Sequence, residues 1–221
     1  DFRKLHHSIS NDKYVPLIGD LMISRWAYEA LAVSQFKDNT FTRFFYDVDK
    51  ERSQNNYYSS IYIPILMSQL NELQREYNLK SLDEKSLRRL ELVNNEFVLL
   101  SKRFGDEVPK LSQNSVAIVK VEPQSIKEHK QILNKLQGYL WQNYNRLSVK
   151  KDSIYSSLLH KYKTSERIVA LRHSYENKAL SDLVLNKSGV AQSKIVGTEI
   201  VQLKDPAYME PTSSVGKAQF Y

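Results

Sequence analysis

Across residues 125–162 the apolar side chains recur at intervals of three, four and seven: Ile126, Ile132, Leu133, Leu136, Leu140, Leu147, Ile154, Leu158 and Tyr162. One face of an α-helix repeats every three or four residues, whereas a half-buried strand repeats every two. A chain with such a stretch has to organise itself around long helix. The spacing is that of a coiled coil, and an antiparallel two-helix hairpin within a bundle accounts for it equally well, with a break at residues 148–152. Only six Gly and six Pro occur in 221 residues, while Leu, Lys, Glu, Gln, Asn and Ser are plentiful, a composition that favours helix over sandwich. With 41% hydrophobic and 11% aromatic residues the chain is not a disordered one. Its length suits one large or two small domains and buries roughly 70% of the unfolded surface.

The same period runs through residues 53–79, with Tyr57, Ile61, Ile65, Leu66, Leu70, Leu73 and Tyr77. Pro64 has no N–H to donate and predicts a kink or a helix start at that point. Ser81, three residues before Glu84, has capping-box spacing and opens a third helix. Its apolar row is Leu87, Leu90, Val93, Phe97, Leu100 and Phe104, and Gly105 ends it. These two helices read as a hairpin. Residues 108–121, with Val116, Ile118, Val119 and Val121 between Pro109 and Pro123, predict a short extended segment. Thr164-Ser165-Glu166 restarts a helix to about residue 186, with Ile168, Val169, Leu171, Leu180, Leu183 and Val184 inward. Two β-branched runs around Gly197-Thr198, within residues 194–203, predict a β-hairpin. The lead-in 1–19 is expected to be extended, and the tail 204–221 irregular and returning towards the start of the chain. The expected fold is mainly α: a helical bundle of long hairpins with a small β-hairpin near the C-terminus. We expect a single domain, 1–221, with a first segment 1–50, helical hairpins over 51–186, and a β-hairpin and return segment over 187–221.

Residues 19–36, GDLMISRWAYEALAVSQF, form a further helix capped by Asp20. Met22, Trp26 and Ala30 make one row and Ile23, Ala27 and Leu31 the next, together a wide apolar arc; Arg25 and Glu29 are four apart and can pair. Periodicity alone predicts a buried helix that needs cover on most sides. After the turn Lys37-Asp38-Asn39, the rings of Phe41, Phe44, Phe45 and Tyr46 supply that cover, an aromatic ligand box being the sharper alternative. The residue order says more. Arg25-Trp26-Ala27-x-Glu29-Ala30-Leu31-x-x-x-Gln35-Phe36 resembles the segment R-[YW]-[GA]-x-E-A-L-x-x-x-[EQ]-F of ABCG-type ABC transporters, which lies at the outer membrane face just before the last extracytoplasmic loop. The similarity extends to residues 15–22 (VPLIGDLM), to Phe44-Phe45-Tyr46 and to residues 216–221 (GKAQFY), as in a bacterial ABC-2/ABCG-like subfamily in which that loop has grown into a domain.

This resemblance implies a non-catalytic periplasmic loop domain of an exporter, inserted between the last two transmembrane helices at the periplasmic side of the inner membrane. The helix with Met22, Arg25, Trp26, Glu29, Ala30 and Phe36 would face the transmembrane domain of the same transporter. A second copy, a periplasmic protein and lipid cargo are further implied contacts. No cofactor is expected in this chain; ATP and Mg would serve a separate nucleotide-binding domain. Accordingly there is no G-x-x-x-x-G-K-[ST] loop, and no apolar run of the about 20 residues a membrane helix needs. A start at Asp1 without a signal peptide fits an excised segment.

The net charge of +7 implies anionic partners of some kind, and the lack of Cys excludes disulfides and thiolate chemistry. Over residues 127–178 cations alternate with Tyr and Trp. Lys150, Lys151, Lys161, Arg167 and Arg172 form a candidate anion or partner surface; the plainer reading is a solvated face of snorkelling side chains. That surface carries the alternative function, a stand-alone basic helical nucleic-acid-binding protein, although it has no known nucleic-acid motif and nucleic acid is the weaker partner. His6-His7 reads as a surface pair. His160 and His173 have no companion nucleophile or metal-binding pattern and read as surface or interhelix residues. Asp83-Glu84 reads as a helix start, and Glu91 with Glu96 as solvated faces. No active site is expected.

Overall fold

The computed structural model describes residues 23–108, 111, 117–118 and 121–208. The lead-in with His6-His7, Asp20, Met22, most of the expected extended segment and the tail beyond residue 208 lie outside them, as does the side chain of Arg25. The fold is mainly α with one antiparallel hairpin. In order come α1 (Ile23–Phe36), a 3₁₀ turn (Thr42–Phe44), α2 (Tyr46–Tyr57), a π-helical turn (Tyr58–Tyr62), α3 (Ile63–Asn78) and α4 (Glu84–Phe104). They are followed by α5 (Pro123–Tyr162), α6 (Ser165–Tyr175), α7 (Lys178–Val184), β1 (Ser193–Val196), β2 (Glu199–Gln202) and a 3₁₀ turn (Pro206–Tyr208). The chain packs as two compact units, one drawn from 1–54, 147–190 and 204–221, the other from 55–146 and 191–203.

The second unit contains α3, α4, residues 123–146 of α5 and the β-hairpin. Its core is the expected rows brought together: Leu66, Leu70 and Leu73 from α3, Val93, Phe97 and Leu100 from α4, and Leu133, Leu136 and Leu140 from α5, all fully buried. Each such side chain contributes roughly 1.5–3 kcal/mol of burial. Pro64 sits at the start of α3, and the turn before it widens to the π form, Ile63 N–H bonding the Tyr58 carbonyl. In that register the Ser59 carbonyl would look to residue 64, which has no N–H. Gln137 Nε2 of α5 donates to it instead, at 2.7 Å. The start of α4 is a correction: Asp83, not Ser81, is the cap, accepting from Ser86 N–H at 2.9 Å while Ser86 Oγ accepts from Asp83 N–H at 3.1 Å. From the expected extended segment, Ile118 is buried and held on both sides by the Asn94 amide, which accepts from its N–H at 2.8 Å and donates to its carbonyl at 3.2 Å. β1 and β2 pair with Ile195 opposite Ile200 and Val196 opposite Glu199. Gly197, at φ +62°, takes the left-handed conformation of the turn.

The first unit contains α1, most of α2, the rest of α5, α6, α7 and the return segment. Its two apolar clusters join Phe36, Tyr46, Val184, Leu185 and Ala207 in one place, and Phe45, Leu158 and Ile168 in another. Asn39 links α1 to the following turn: its amide donates to the Gln35 carbonyl at 2.7 Å, and its carbonyl oxygen accepts from Phe41 and Thr42 N–H. The expected break at 148–152 is absent. α5 runs unbroken for 40 residues, because that polar stretch contains neither Gly nor Pro to stop it. The helix expected from residue 165 to 186 is instead two, α6 and α7, divided at Glu176-Asn177. The Asn177 carboxamide accepts from Leu180 N–H at 3.0 Å and caps α7. The inward row shifts with the break: Ile168 and Val184 are buried, Val169 and Leu183 exposed.

Candidate functional site

α1 buries a narrow face. Ala32 and Phe36 are buried and Val33 partly so, a set spaced for one side of a helix. The arc of Ile23, Trp26, Ala27, Ala30 and Leu31 faces away, with Ile23 85%, Trp26 51% and Leu31 62% exposed. The expectation of cover on most sides is therefore corrected. Of the four rings expected to provide it, Tyr46 reaches α1, meeting Phe36 edge-on at 6.1 Å between centroids. Phe41, Phe44 and Phe45 pack instead with Ile154, Leu158, Tyr162 and Ile168, so they cover the α5–α6 junction and form no open aromatic box.

Next to the exposed arc runs a groove of about 400 Å³ between α1 and α7, lined by Tyr28, Leu31, Ala32, Leu180 and Leu183 among others. Leu183 is 66% exposed and Tyr28 61%, so the apolar surface of α1 continues onto α7. Single exposed apolar residues are ordinary; here Leu31 and Tyr28 of α1 and Leu183 of α7 line the same groove. Of the residues expected to face a membrane domain, Trp26 and Ala30 lie on this arc, Glu29 is part-buried and Phe36 is core. Among the described residues no helix is long and apolar enough to cross a membrane.

Of the five candidate cations, three have partners of their own. Lys151 bonds Asp49 Oδ1 at 2.6 Å and lies over the Phe45 ring. Lys161 lies over Phe44 and Tyr162, at 5.8 and 5.5 Å from their centroids. Arg172 pairs with Glu176, which holds its guanidinium above the usual arginine range. Lys150 and Arg167 are exposed, and among the described residues no carboxylate pairs with either. His160 and His173 are both exposed. Among the described residues no three His, Asp or Glu side chains are grouped to hold a metal.

One cluster was hidden in the sequence. Glu96 is not on a solvated face: it is 1% exposed, beside Phe97 in the α4 core row. One carboxylate oxygen accepts from the Tyr62 hydroxyl and the other from the Ile200 backbone N–H in β2. Burial holds its carboxyl above the usual glutamate range, against the lowering effect of those two donors. Burial likewise pushes the Tyr57 and Tyr62 hydroxyls well above the usual tyrosine range, so both remain protonated. The signal that could have found Glu96 is its place three residues after Val93 and four before Leu100, on the apolar row itself. Comparison with protein-family models, curated proteins and solved structures finds no match for this chain.

Proposed function

We propose that the chain is the periplasmic loop domain of an ABCG-like exporter, inserted between the last two membrane helices, and that it works by contact rather than catalysis. The observation that carries this reading is the outward apolar arc of α1, Ile23, Trp26, Ala27, Ala30 and Leu31, in the very segment that resembles the membrane-proximal motif. An apolar helix face continued by Leu183, with Trp and Tyr rings at its margin, has the chemistry of a surface that meets membrane helices at the headgroup level. The return turn Pro206–Tyr208 supports the reading too: Tyr208 meets Phe36 at the C-terminal end of α1 at 6.0 Å, so the chain comes back to the helix that carries the resemblance. ATP and Mg would be used by a nucleotide-binding domain elsewhere in the transporter, and the transmembrane domain is the primary partner.

Reading the coding sequence on both sides of these residues tests the proposal. A phosphate-binding loop and membrane helices upstream, with one more apolar run of about 20 residues downstream, are expected. Flanks that hold neither would overturn it.

A further inference from the structure

Polar ties hold the β-hairpin to the helical core of its unit. Tyr57 and Ser193 share a hydrogen bond between their hydroxyls at 3.1 Å, and Asn95 Nδ2 donates to Thr198 Oγ1 at 3.1 Å at the exposed turn. A further tie is different in kind. Glu96, on α4, reaches the outer edge of β2 and takes the Ile200 N–H, which among the described residues no third strand bonds. Ile200 packs its side chain on the same core. A two-stranded hairpin is marginal by itself and depends on what it is docked against.

We propose that Glu96 is a proton-operated latch for this hairpin: the neutral carboxyl holds β2 against α4, and loss of its proton loosens the hairpin. The groups around the carboxyl decide the sign. From the π-turn it faces the Tyr62 hydroxyl, with Tyr57 and Tyr58 behind it and the Arg103 guanidinium stacked over Tyr58 at 4.9 Å. From β2 it meets the Ile200 N–H and the charge of Glu199, which opposes its ionisation. From α5 comes His129, stacked edge-on against the neighbouring Phe97 at 4.8 Å and bonded through Nδ1 to the Ser125 carbonyl at 2.7 Å. Among the described residues no cation pairs with Glu96. A charged carboxylate here is buried without a counter-charge, and undocking the hairpin rehydrates it. The neutral acid carries no such penalty and still accepts from Ile200.

The docked hairpin therefore binds the proton more tightly than the undocked one. Docking is strongest below the ordinary glutamate range and weakens as the pH rises through the raised value of the docked carboxyl. The inference is independent of the exporter reading, since it rests on contacts within one unit.

Hydrogen exchange of the 221-residue chain tests it, following amides of residues 192–203 against those of the α5 core at 129–140, with the intrinsic pH dependence of exchange divided out. Hairpin protection is expected to fall by up to about tenfold per pH unit across this window. In Glu96→Gln, which keeps an acceptor for Ile200 but cannot ionise, it should stay level. Protection that is level in the unaltered chain, or falls equally in Glu96→Gln, overturns the latch. Should the variant not fold, the ¹³C signal of the Glu96 carboxyl in the unaltered chain decides. Titration above the usual glutamate range supports the latch, and titration within or below it overturns the latch.

Discussion

Tyr62 donates to a carboxylate that has only one other donor, and the value of that bond depends on the carboxylate's charge. Hydrogen bonds to ionised groups are worth about 1.5–3 kcal/mol and those between neutral groups about half as much. Tyr62→Phe removes the donor while keeping the ring. Because the bond favours the charged form, its loss raises the already elevated carboxyl of Glu96 further. The sign follows from linkage: a carboxyl raised in the folded state gives stability that is complete below its unfolded value and lost as the pH climbs through the folded one. We therefore expect Tyr62→Phe to cost about 1–2 kcal/mol at pH 7 and clearly less near pH 4.5. Urea denaturation at the two pH values measures this, and an equal loss at both would show that the bond is not made to a titrating group.

At the scale of the element, α1 presents its wider apolar arc outward, and this separates surface from core experimentally. Ile23→Ser and Leu31→Ser alter side chains that are 85% and 62% exposed, so each should change stability by no more than about 0.5 kcal/mol. If α1 is the membrane-facing helix, the same changes weaken its hold on lipid. The chain has two Trp, Trp26 and Trp141, so in a Trp141→Phe background the emission reports on α1 alone. Blue-shifted emission, quenched by vesicles with brominated acyl chains and abolished by the paired Ser changes, is the expected result. Emission indifferent to vesicles would count against a membrane-level surface. The element also shows where a sequence stops speaking. Periodicity displays an apolar arc and not the side it turns to: Leu31 and Leu87 read as core and are exposed, whereas Ala32 was not singled out and is buried. The long rows of α3, α4 and α5 were legible because each supplies a face to one shared core. Glu96 was missed for the same reason in reverse, since a carboxylate on an apolar row is taken for solvent-facing until the strand that supplies its donor is in place. The division of α6 from α7 rested on one cap, Asn177, which no spacing of apolar residues announces.

At the scale of the whole molecule, each unit closes a loop of chain on a core of its own. In the first unit the closing contacts are aromatic and polar together. Phe36, Tyr46 and Tyr208 stand with centroids 5.8–6.1 Å apart, and the Tyr46 hydroxyl donates to the Ala207 carbonyl at 3.0 Å. Asp205 accepts from Ser53 Oγ at 2.6 Å and donates its N–H to the Leu185 carbonyl at 3.2 Å. Phe36 thus carries α1, the start of α2 and the return turn on one ring. Truncating it to Ala leaves a cavity that those three elements cannot jointly close, at a cost of about 3–5 kcal/mol. If the units are separate in stability as well as in packing, exchange in Phe36→Ala rises in α1, α7 and residues 204–208 while the buried amides of α3 and α4 keep their protection. Equal loss in both sets would mean that the molecule unfolds as one cooperative body despite its two cores. A local loss would show that the surface formed by α1 and α7 can loosen without the β-hairpin unit, so that a contact made there need not reach the Glu96 latch at all.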